Sequence, residues 1–415
     1  MAFEPSVRDR YRSILSEIES AGLLKNERII TVPQDAEITV AFPAGATPRR
    51  VINMCSNNYL GLSSHPDVLK AAHAALEQRG YGMSSVRFIC GTQDIHTALE
   101  EKLAEFLGTE ACILFSSCFD ANGALFEALL DENDVMIADR LVHASLIDGM
   151  RLAKAQRDTY KHSDMGHLRS KLEQYRACPR KMIVTDGVFS MDGDMADLGG
   201  IVALAEEFGA MVCVDDSHAT GFLGKTGRGS HEACGVMGKI DILTTTLGKA
   251  LGGASGGCVA ARKEIVALLR QRGRPYLFSN TLAPVIASTT LEVLRLLEGS
   301  TERRDRLEAN TAFWRNGLRD AGFILPPGNT PIVPVMLYNA ALAQKLSAAL
   351  FDRGVYAVGF FFPVVPQGQA RIRTQLSAGH TQAMLERALG AFTEAGRAAG
   401  VTGLTKEQII AKFGT

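Results

Sequence analysis

The alternation of short apolar segments with stretches of helical periodicity constrains this chain more than any other feature of its sequence. From about Asn53 onward, apolar runs recur and amphipathic stretches separate them. This alternation predicts βαβ units and an α/β fold with a mostly parallel central sheet covered by helices. The strand candidates are Ala111–Phe115, Asp134–Ala138, Lys181–Asp186, Ala210–Asp215, Ile240–Thr245 and Gly257–Ala260. The intervening helices are Asp94–Leu107, Ala121–Leu130, Met165–Arg176 and Gly200–Phe208.

The pattern changes twice along the chain and predicts three parts. Residues 1–55 form an N-terminal arm that starts with an amphipathic helix, Pro5–Lys25. Residues 56–295 form the large domain, and residues 296–415 form a smaller α+β domain. The C-terminal helices expected are Val285–Leu297, Glu302–Ala321, Ala340–Arg353 and His380–Ala399. The C-terminal strands expected are Ile332–Met336, Val355–Ala357 and Gln369–Thr374.

Charge and cysteine content exclude several functional classes. The 44 Lys and Arg residues nearly balance 45 Asp and Glu residues, which gives no electrostatic case for binding nucleic acid or an anionic membrane. The eight cysteines include no C-x-x-C pair, which favours scattered reduced thiols over a zinc site or a disulfide framework. No apolar window of about 18 residues predicts a membrane-spanning helix, and the N-terminus lacks the apolar run of a signal peptide. We therefore expect a cytoplasmic protein without a metal site.

A single lysine in a glycine-rich turn is the strongest local signal. The turn 244–257 follows a predicted strand and contains Lys249 together with Thr246. Glycines let a bulky group approach the backbone closely, and a lysine shielded from water becomes a nucleophile with a lowered pKa. Considered alone, Lys249 is as compatible with a surface loop. A Walker phosphate loop is excluded because its G-x-x-x-x-G-K-[ST] pattern is absent.

An acidic residue, Asp215, ends the candidate strand Ala210–Asp215. Asp215 follows the apolar run Met211–Val214, and His218 comes three residues later. The carboxyl ends of parallel strands line the ligand crevice of open α/β sheets, and a buried carboxylate there needs a cationic partner. A protonated pyridine nitrogen, a metal ion and a helix N-terminus are all compatible partners. Asp216 and Ser217 are expected to serve as caps.

Two further segments are ambiguous by themselves. The segment Ser116–Gly123 joins a strand to a helix, so its Cys118 and Phe119 amides could bind a phosphate, or a serine could simply cap the helix. His143 could stack on a planar ring, or it could be a hydrogen-bonded histidine of the core.

Taken together, these motifs resemble those of the α-oxoamine synthases, a family of fold-type I pyridoxal phosphate enzymes that condense an amino acid with an acyl-CoA. The resemblance runs from about Tyr11 to the last predicted helix. It follows the motif order Ser117-Cys118-Phe119, His143, Val188-Phe189-Ser190-Met191-Asp192-Gly193, Asp215-Asp216-Ser217-His218, Thr246-Leu247-Gly248-Lys249 and Ser279-Asn280.

The resemblance implies roles for these residues around pyridoxal 5'-phosphate. Lys249 would hold the cofactor covalently and then move the substrate α-proton, while Asp215 would pair with the ring nitrogen. His143 would stack on the ring, and His218 and Ser190 would contact the region of its phenolic oxygen. The phosphate ligands implied are Cys118, Phe119, Thr246 and, from the second subunit of a homodimer, Ser279 and Asn280.

The resemblance also implies how the substrate carboxylate is bound. Arg373 would grip it, with Asn57 nearby, because the planar guanidinium matches a carboxylate. Arg371 is the main rival, since alternation along a strand puts both arginines on one face.

Four stretches match the branch of the family that joins glycine with acetyl-CoA and runs in reverse during threonine breakdown. They are Gly82–Asp94, Ser116–Gly123, Arg274–Asn280 and Gly359–Pro366. The run Phe360–Phe362 is equally compatible with the core and with the walls of a short acyl pocket. The alternatives are a synthase for a longer acyl-CoA, a catalytically silent subunit, and a dinucleotide-binding oxidoreductase. Lys249 argues against a silent subunit, and the lack of a G-x-G-x-x-G motif argues against the oxidoreductase.

Overall fold

The strands form three sheets in a computed structural model, which describes residues 4–20, 23–25, 27–43 and 45–414. The strands in chain order are β1 (Ile29–Ile30), β2 (Glu37–Ala41), β3 (Arg49–Asn53), β4 (Ala111–Phe115), β5 (Val135–Asp139), β6 (Gln156–Tyr160), β7 (Lys181–Asp186), β8 (Ala210–Asp215), β9 (Ile242–Thr246), β10 (Gly257–Ala261), β11 (Ile332–Met336), β12 (Val355–Tyr356), β13 (Val358–Phe360) and β14 (Arg371–Gln375).

The helices cover these sheets. In chain order they are α1 (Pro5–Ser20), α2 (Pro66–Arg79), α3 (Asp94–Leu107), α4 (Cys118–Leu129), α5 (Ala144–Leu152), α6 (Met165–Gln174), α7 (Leu198–Phe208), α8 (Ser230–Ala233), α9 (Lys263–Arg272), α10 (Arg274–Phe278), α11 (Pro284–Gly299), α12 (Glu302–Asp320), α13 (Ala340–Asp352), α14 (Gln382–Ala399) and α15 (Lys406–Phe413).

The central sheet confirms the predicted α/β architecture. Its seven strands lie in the order β4-β10-β9-β8-β7-β5-β6, and only β10 runs antiparallel to its neighbours. Every residue of β5 and β7 is buried, as expected for strands covered on both faces. The edge strand β6 was not predicted, because its sequence is polar and only Tyr160 is buried.

The C-terminal region forms the predicted smaller α+β unit. An antiparallel sheet in the order β11-β14-β13 packs against helices whose largest buried side chain is Trp314. The indole of Trp314 donates a hydrogen bond of 2.8 Å to the Thr374 hydroxyl on β14, which fixes α12 to the sheet. The short strand β12 pairs in parallel with β3 of the N-terminal arm, so the arm and the C-terminal region share a sheet. The proposed boundaries at residues 55 and 295 stay a prediction.

The N-terminal helix forms as predicted but ends earlier. Helix α1 starts at Pro5 and ends at Ser20; Ala21 and Gly22 lie outside the described residues, and 23–25 is not helical. None of the residues of α1 is buried. In the part of the chain that the structure describes, no helix is long and apolar enough to cross a membrane.

Candidate active site

The carboxyl-terminal edge of the parallel strands converges on a cavity of about 230 Å³. The segments that follow β5, β7, β8 and β9 all contribute to it, as the strand-end rule predicts. The lining residues are Ser117, Cys118, Phe119, His143, Ser145, Asp186, Val188, Asp215, Ser217, His218, Thr246 and Lys249. Residues from five separate predicted motifs therefore meet in one place.

A larger cavity of about 730 Å³ lies against α12 and contains none of the predicted site residues. Size alone would favour it, but its lysine, Lys225, is exposed, whereas the smaller cavity combines Lys249 with the buried carboxylates of Asp186 and Asp215. We therefore take the cavity at the sheet edge as the candidate site.

The start of α4 forms one end of the cavity. The Ser117 side chain caps this helix by accepting a hydrogen bond of 3.0 Å from the backbone N–H of Asp120. Cys118 and Phe119 are the first two residues of α4 and line the cavity. A helix N-terminus attracts anions because its first amides have no intrahelical partner.

A glycine on β10 lets this helix start sit close to the sheet. A Cβ atom at Gly257 would lie 2.3 Å from the backbone nitrogen of Cys118, a distance that real Cβ atoms essentially never show. Gly253 is similarly crowded by Ser63. The glycines of this run thus allow other parts of the chain to pack closely, in addition to the close approach of a ligand that the sequence predicts.

Asp215 is a buried carboxylate without an ion pair to any described residue. Its Oδ1 accepts a hydrogen bond of 3.0 Å from the Ser217 N–H, and its Oδ2 accepts one of 2.7 Å from the Asn122 amide. Neither donor neutralises its charge, so Asp215 can hold a cationic ring nitrogen. Asp216 accepts a hydrogen bond from the Ser230 N–H at the start of α8, but the residue at the N-cap position of that helix is Gly229, so Asp216 is not the expected N-cap. Ser217 is not a side-chain cap; it lines the cavity.

A second acid, Asp186, was missed by the sequence reasoning. It ends β7 as Asp215 ends β8, lines the same cavity, and accepts a hydrogen bond of 3.1 Å from the His143 N–H. Burial and the neighbouring Asp215 raise the pKa of Asp186 well above its ordinary value. The strand-end signal that identified Asp215 could also have identified Asp186.

Lys249 extends into the cavity and forms no hydrogen bond or ion pair within the described ranges of the chain. Burial lowers its pKa, although the charge of Asp215 opposes that shift. This environment favours a nucleophilic lysine and excludes the alternative of a lysine in a solvated surface loop.

His143 lies at the cavity, where its orientation is set by hydrogen bonds. Its Nδ1 lies 2.7 Å from the Ser145 hydroxyl, which also accepts a 2.8 Å hydrogen bond from the Asn122 amide. Asn122 therefore connects His143 to Asp215, since the same amide group reaches both Ser145 and Asp215. His143 is exposed to the cavity and is not a residue of the core. Of the two interpretations offered by the sequence, stacking on a planar ring is therefore the one that its position favours.

A chain of hydrogen bonds determines which nitrogen of His218 carries the proton. The Gln375 carbonyl accepts from Arg373 at 3.2 Å, so the Gln375 amide nitrogen faces Tyr59 and donates to its hydroxyl at 2.8 Å. The Tyr59 hydroxyl lies 2.7 Å from His218 Nδ1, and because it already accepts from Gln375, we assign its own proton to the hydrogen bond with Nδ1. Burial, with the charges of Lys249 and Arg373, holds the pKa of His218 well below its ordinary value. Neutral His218 therefore carries its proton on Nε2 and can donate a hydrogen bond there.

The two candidate arginines on β14 differ in their partners. Arg371 forms an ion pair with Asp192, whereas Arg373 has no carboxylate partner among the described residues. Arg373 donates to the Ser190 carbonyl at 2.8 Å, and its buried Nε has no hydrogen-bond partner. Both side chains reach the segment that follows β7, as their shared strand face predicts. Arg373 is thus the guanidinium available to a carboxylate.

The remaining predicted residues lie around the cavity without lining it. Ser190 contacts Arg373 through its carbonyl, and Asn57 accepts a hydrogen bond of 2.6 Å from Gln375. The Ser279 hydroxyl lies 3.0 Å from the Ser116 hydroxyl of its own chain, beside the predicted phosphate loop, with Asn280 next in sequence. Their assignment to a second subunit stays a prediction.

None of the three consecutive phenylalanines is fully buried, although Phe361 packs against the core. The ring of Phe360 lies under the Arg373 guanidinium at 4.6 Å, Phe361 is half-buried, and Phe362 is exposed. Phe360 is therefore placed beside the expected carboxylate site.

Comparisons with known proteins identify the family of this chain. The sequence model of the family "Aminotransferase class I and II" matches residues 49–392. The chain is 55% identical to 2-amino-3-ketobutyrate coenzyme A ligase of Salmonella typhimurium over 95% of this chain and 99% of that protein. It is 43% identical to 8-amino-7-oxononanoate synthase of Thermosipho melanesiensis over 93% of this chain and 97% of that protein. A solved structure of SPT with PLP internal aldimine matches with a TM-score of 0.89 and 32% identity, covering 95% of this chain and 99% of that one.

The contact between Gly257 and the start of α4 yields one prediction. Gly257→Ala should displace Cys118 and weaken the binding of pyridoxal 5'-phosphate, because overpacking costs about 1–3 kcal/mol, roughly fivefold to a hundredfold in affinity. Gly390→Ala is the control, since a Cβ there meets nothing within 4 Å. Absorbance titration of the apo forms measures the affinity. Wild-type affinity in Gly257→Ala would show that this contact does not shape the phosphate end.

The hydrogen bond between Tyr59 and His218 yields another prediction. Tyr59→Phe keeps the ring packed against Phe222 but frees His218 to take either tautomer, so kcat should fall about tenfold or more. Tyr356→Phe serves as the matched control, because the Tyr356 ring packs against Phe351 and Arg28 and not against His218. Steady-state kinetics and melting curves of both variants provide the test. An unchanged kcat in Tyr59→Phe would rule out the assigned tautomer as a requirement for turnover.

Proposed function

This chain belongs to the α-oxoamine synthases, within the class I and II aminotransferase family, and from that membership we propose that it joins glycine with acetyl-CoA to give 2-amino-3-oxobutyrate and free CoA. The observation that carries the reaction class is the cavity in which Lys249 lies with unpaired Asp215. The acyl donor follows from similarity: identity to 2-amino-3-ketobutyrate coenzyme A ligases reaches 55%, against 43% for an 8-amino-7-oxononanoate synthase. The same enzyme would run in reverse during threonine breakdown.

The residues present fit pyridoxal 5'-phosphate. The start of α4 and the Thr246 hydroxyl at the cavity suit a phosphate, and the unpaired carboxylate of Asp215 suits a protonated ring nitrogen. Lys249 supplies the amine that would hold the cofactor, and His143 supplies a flat ring. In this arrangement helix amides would bind the phosphate of the cofactor, and a carboxylate would bind its cationic ring nitrogen.

Pyridoxal phosphate supplies an electron-accepting ring that allows a proton to leave the α-carbon of a bound amino acid. Asp215 keeps the ring nitrogen protonated, because its carboxylate has no other cation to neutralise it. Lys249, with its lowered pKa, takes the α-proton and returns it. Arg373 fixes the glycine carboxylate, and the Nε2–H of His218 donates to the oxygen on which charge develops during acyl transfer.

We also propose a homodimer whose copies share their sites. The segment 81–90 exposes Tyr81, Phe88 and Ile89, and nearby Phe278 is exposed as well. This segment is joined to the segment around Ser279 by the hydrogen bond of 3.1 Å from the Thr281 N–H to the Ser85 carbonyl. Clustered exposed aromatic groups are typical of an interaction surface. A second copy would cover them and bring its Ser279 and Asn280 to the phosphate of the first.

A cytoplasmic location is the last part of the proposal. All eight cysteines are free thiols, and four of them, Cys112, Cys118, Cys213 and Cys258, are buried in strands or helices of the large domain. Unpaired cysteines are typical of reducing compartments.

The choice of acyl donor is tested with a panel of acyl-CoA thioesters and glycine, following the release of free thiol. Acetyl-CoA should give a higher kcat/KM than butyryl-CoA, and pimeloyl-CoA should be nearly inert, because each excluded methylene is worth about 1–3 kcal/mol. A higher kcat/KM for pimeloyl-CoA with alanine than for acetyl-CoA with glycine would assign the protein to the alternative, an 8-amino-7-oxononanoate synthase.

Subunit exchange between two inactive variants tests the shared site. Lys249→Ala lacks the nucleophile, and the double variant Ser279→Ala, Asn280→Ala lacks the residues expected from the partner. A mixed dimer should contain one site with every residue intact, so random exchange should restore up to about a quarter of wild-type activity. If Ser279 and Asn280 serve their own chain, each site of the mixed dimer stays defective and no activity returns.

A further inference from the structure

His162 bridges two carboxylates outside the cavity described above. Its Nδ1 lies 3.0 Å from Oδ1 of Asp139, and its Nε2 lies 2.8 Å from Oδ2 of Asp194. Asp139 ends β5, whereas Asp194 belongs to a different segment that follows β7. Each carboxylate accepts hydrogen bonds, so both ring nitrogens of His162 act as donors, which requires the imidazolium form.

The surroundings of His162 keep it charged. Burial lowers its pKa, but the hydrogen bonds and charges of Asp139 and Asp194 outweigh that effect and raise the pKa of His162 to about 10. Asp139 is itself held by the backbone N–H groups of Leu141 and Ser163, at 2.8 and 2.9 Å. The end of β5 is therefore a fixed anchor for the imidazolium.

The segment bound by His162 is a tight hairpin, residues 188–195. A bridge between Val188 and Met195 closes it, and the Phe189 N–H donates to the Asp194 carbonyl at 3.0 Å. The His162 ring also packs edge-on against Phe189, with 4.5 Å between ring centroids. One side of the 188–195 hairpin is thus held by His162 through a charged hydrogen bond and an aromatic contact.

The other side of the 188–195 hairpin contacts β14 of the C-terminal region. Arg373 donates to the Ser190 carbonyl at 2.8 Å, and Arg371 forms its ion pair with Asp192. The contact with Ser190 helps to decide where the Arg373 guanidinium lies, because Arg373 makes few other hydrogen bonds. Its Nε has no partner, and its second terminal nitrogen donates to Gln375.

We propose that His162 is a positioning residue, which ties the 188–195 hairpin to the end of β5 so that the hairpin holds Arg373 where it binds the substrate carboxylate. This inference rests on the proposed function, in which glycine supplies that carboxylate. His162 touches neither substrate nor cofactor in this account. His162 contributes to the affinity for the amino acid and does not affect the binding of the acyl-CoA.

Three substitutions separate the two hydrogen bonds of His162. The amide nitrogen of glutamine lies near the place of Nε2, so His162→Gln keeps the contact with Asp194, whereas His162→Asn keeps only the contact with Asp139. His162→Ala removes both. His73→Gln, on the exposed surface of α2, controls for the loss of a histidine. Should His162→Ala fail to accumulate, Asp194→Ala removes the hydrogen bond between His162 and the hairpin from the side of a partly exposed residue.

The readouts are the KM for each substrate and the dissociation constant of glycine, taken from the spectral change of the holoenzyme without turnover. His162→Ala and His162→Asn should raise KM and Kd for glycine about tenfold to a hundredfold, since a displacement of about 1 Å has such effects. KM for acetyl-CoA should stay within about twofold of wild type, and His162→Gln should recover most of the affinity for glycine. A merely structural role would lower the melting temperature without separating the two KM values.

Two results would overturn the positioning role. One is wild-type affinity for glycine in both His162→Ala and His162→Asn, or in Asp194→Ala if it replaces the former. The other is a parallel rise of both KM values in these variants. Failure of the proposed function would look different, because the wild-type holoenzyme would then neither bind glycine nor release thiol from acetyl-CoA.

Discussion

Two buried charges of opposite sign, Asp215 and Arg373, lack ion-pair partners within the described residues, and the arrangement of the site depends on them. An unpaired buried charge typically costs several kcal/mol, so a fold keeps one only where neutral dipoles support it or a ligand neutralises it. Asn122 and Ser217 support Asp215, while Ser190 and Gln375 support Arg373. A cofactor with a cationic nitrogen and a substrate with a carboxylate would neutralise both charges, with Lys249 in the same cavity as Asp215.

Much of the fold could be predicted because the large domain follows one simple rule. The apolar runs predicted β4, β7 and β8 with their observed bounds, since strands buried on both faces are apolar along most of their length. The apolar run of β11 in the C-terminal region was predicted in the same way. The edge strand β6 could not be predicted, because most of its residues are exposed and polar and give no apolar run. The pairing of β12 with β3 also could not be predicted, because it joins segments about 300 residues apart that carry no local signal for each other.

The site could be predicted where chemistry lies at a strand end or a turn, as for Asp215, Lys249 and the start of α4. The same rule would have found Asp186, which also ends a strand. It could not have found Tyr59 or Gln375, because their contact spans 316 positions of the sequence. The choice between Arg371 and Arg373 likewise required the structure: strand alternation put both on one face, and only the ion pair of Arg371 with Asp192 separates them.

The central claim is that Lys249 is the amine that holds the cofactor in this cavity. Reduction of the purified holoenzyme with borohydride, followed by peptide mass mapping, tests it most directly, because reduction makes the link between cofactor and lysine permanent. The account predicts a phosphopyridoxyl group on the peptide that contains Lys249 and no such group on the others. Stable label on a different lysine, such as Lys225 beside the larger cavity, would contradict it.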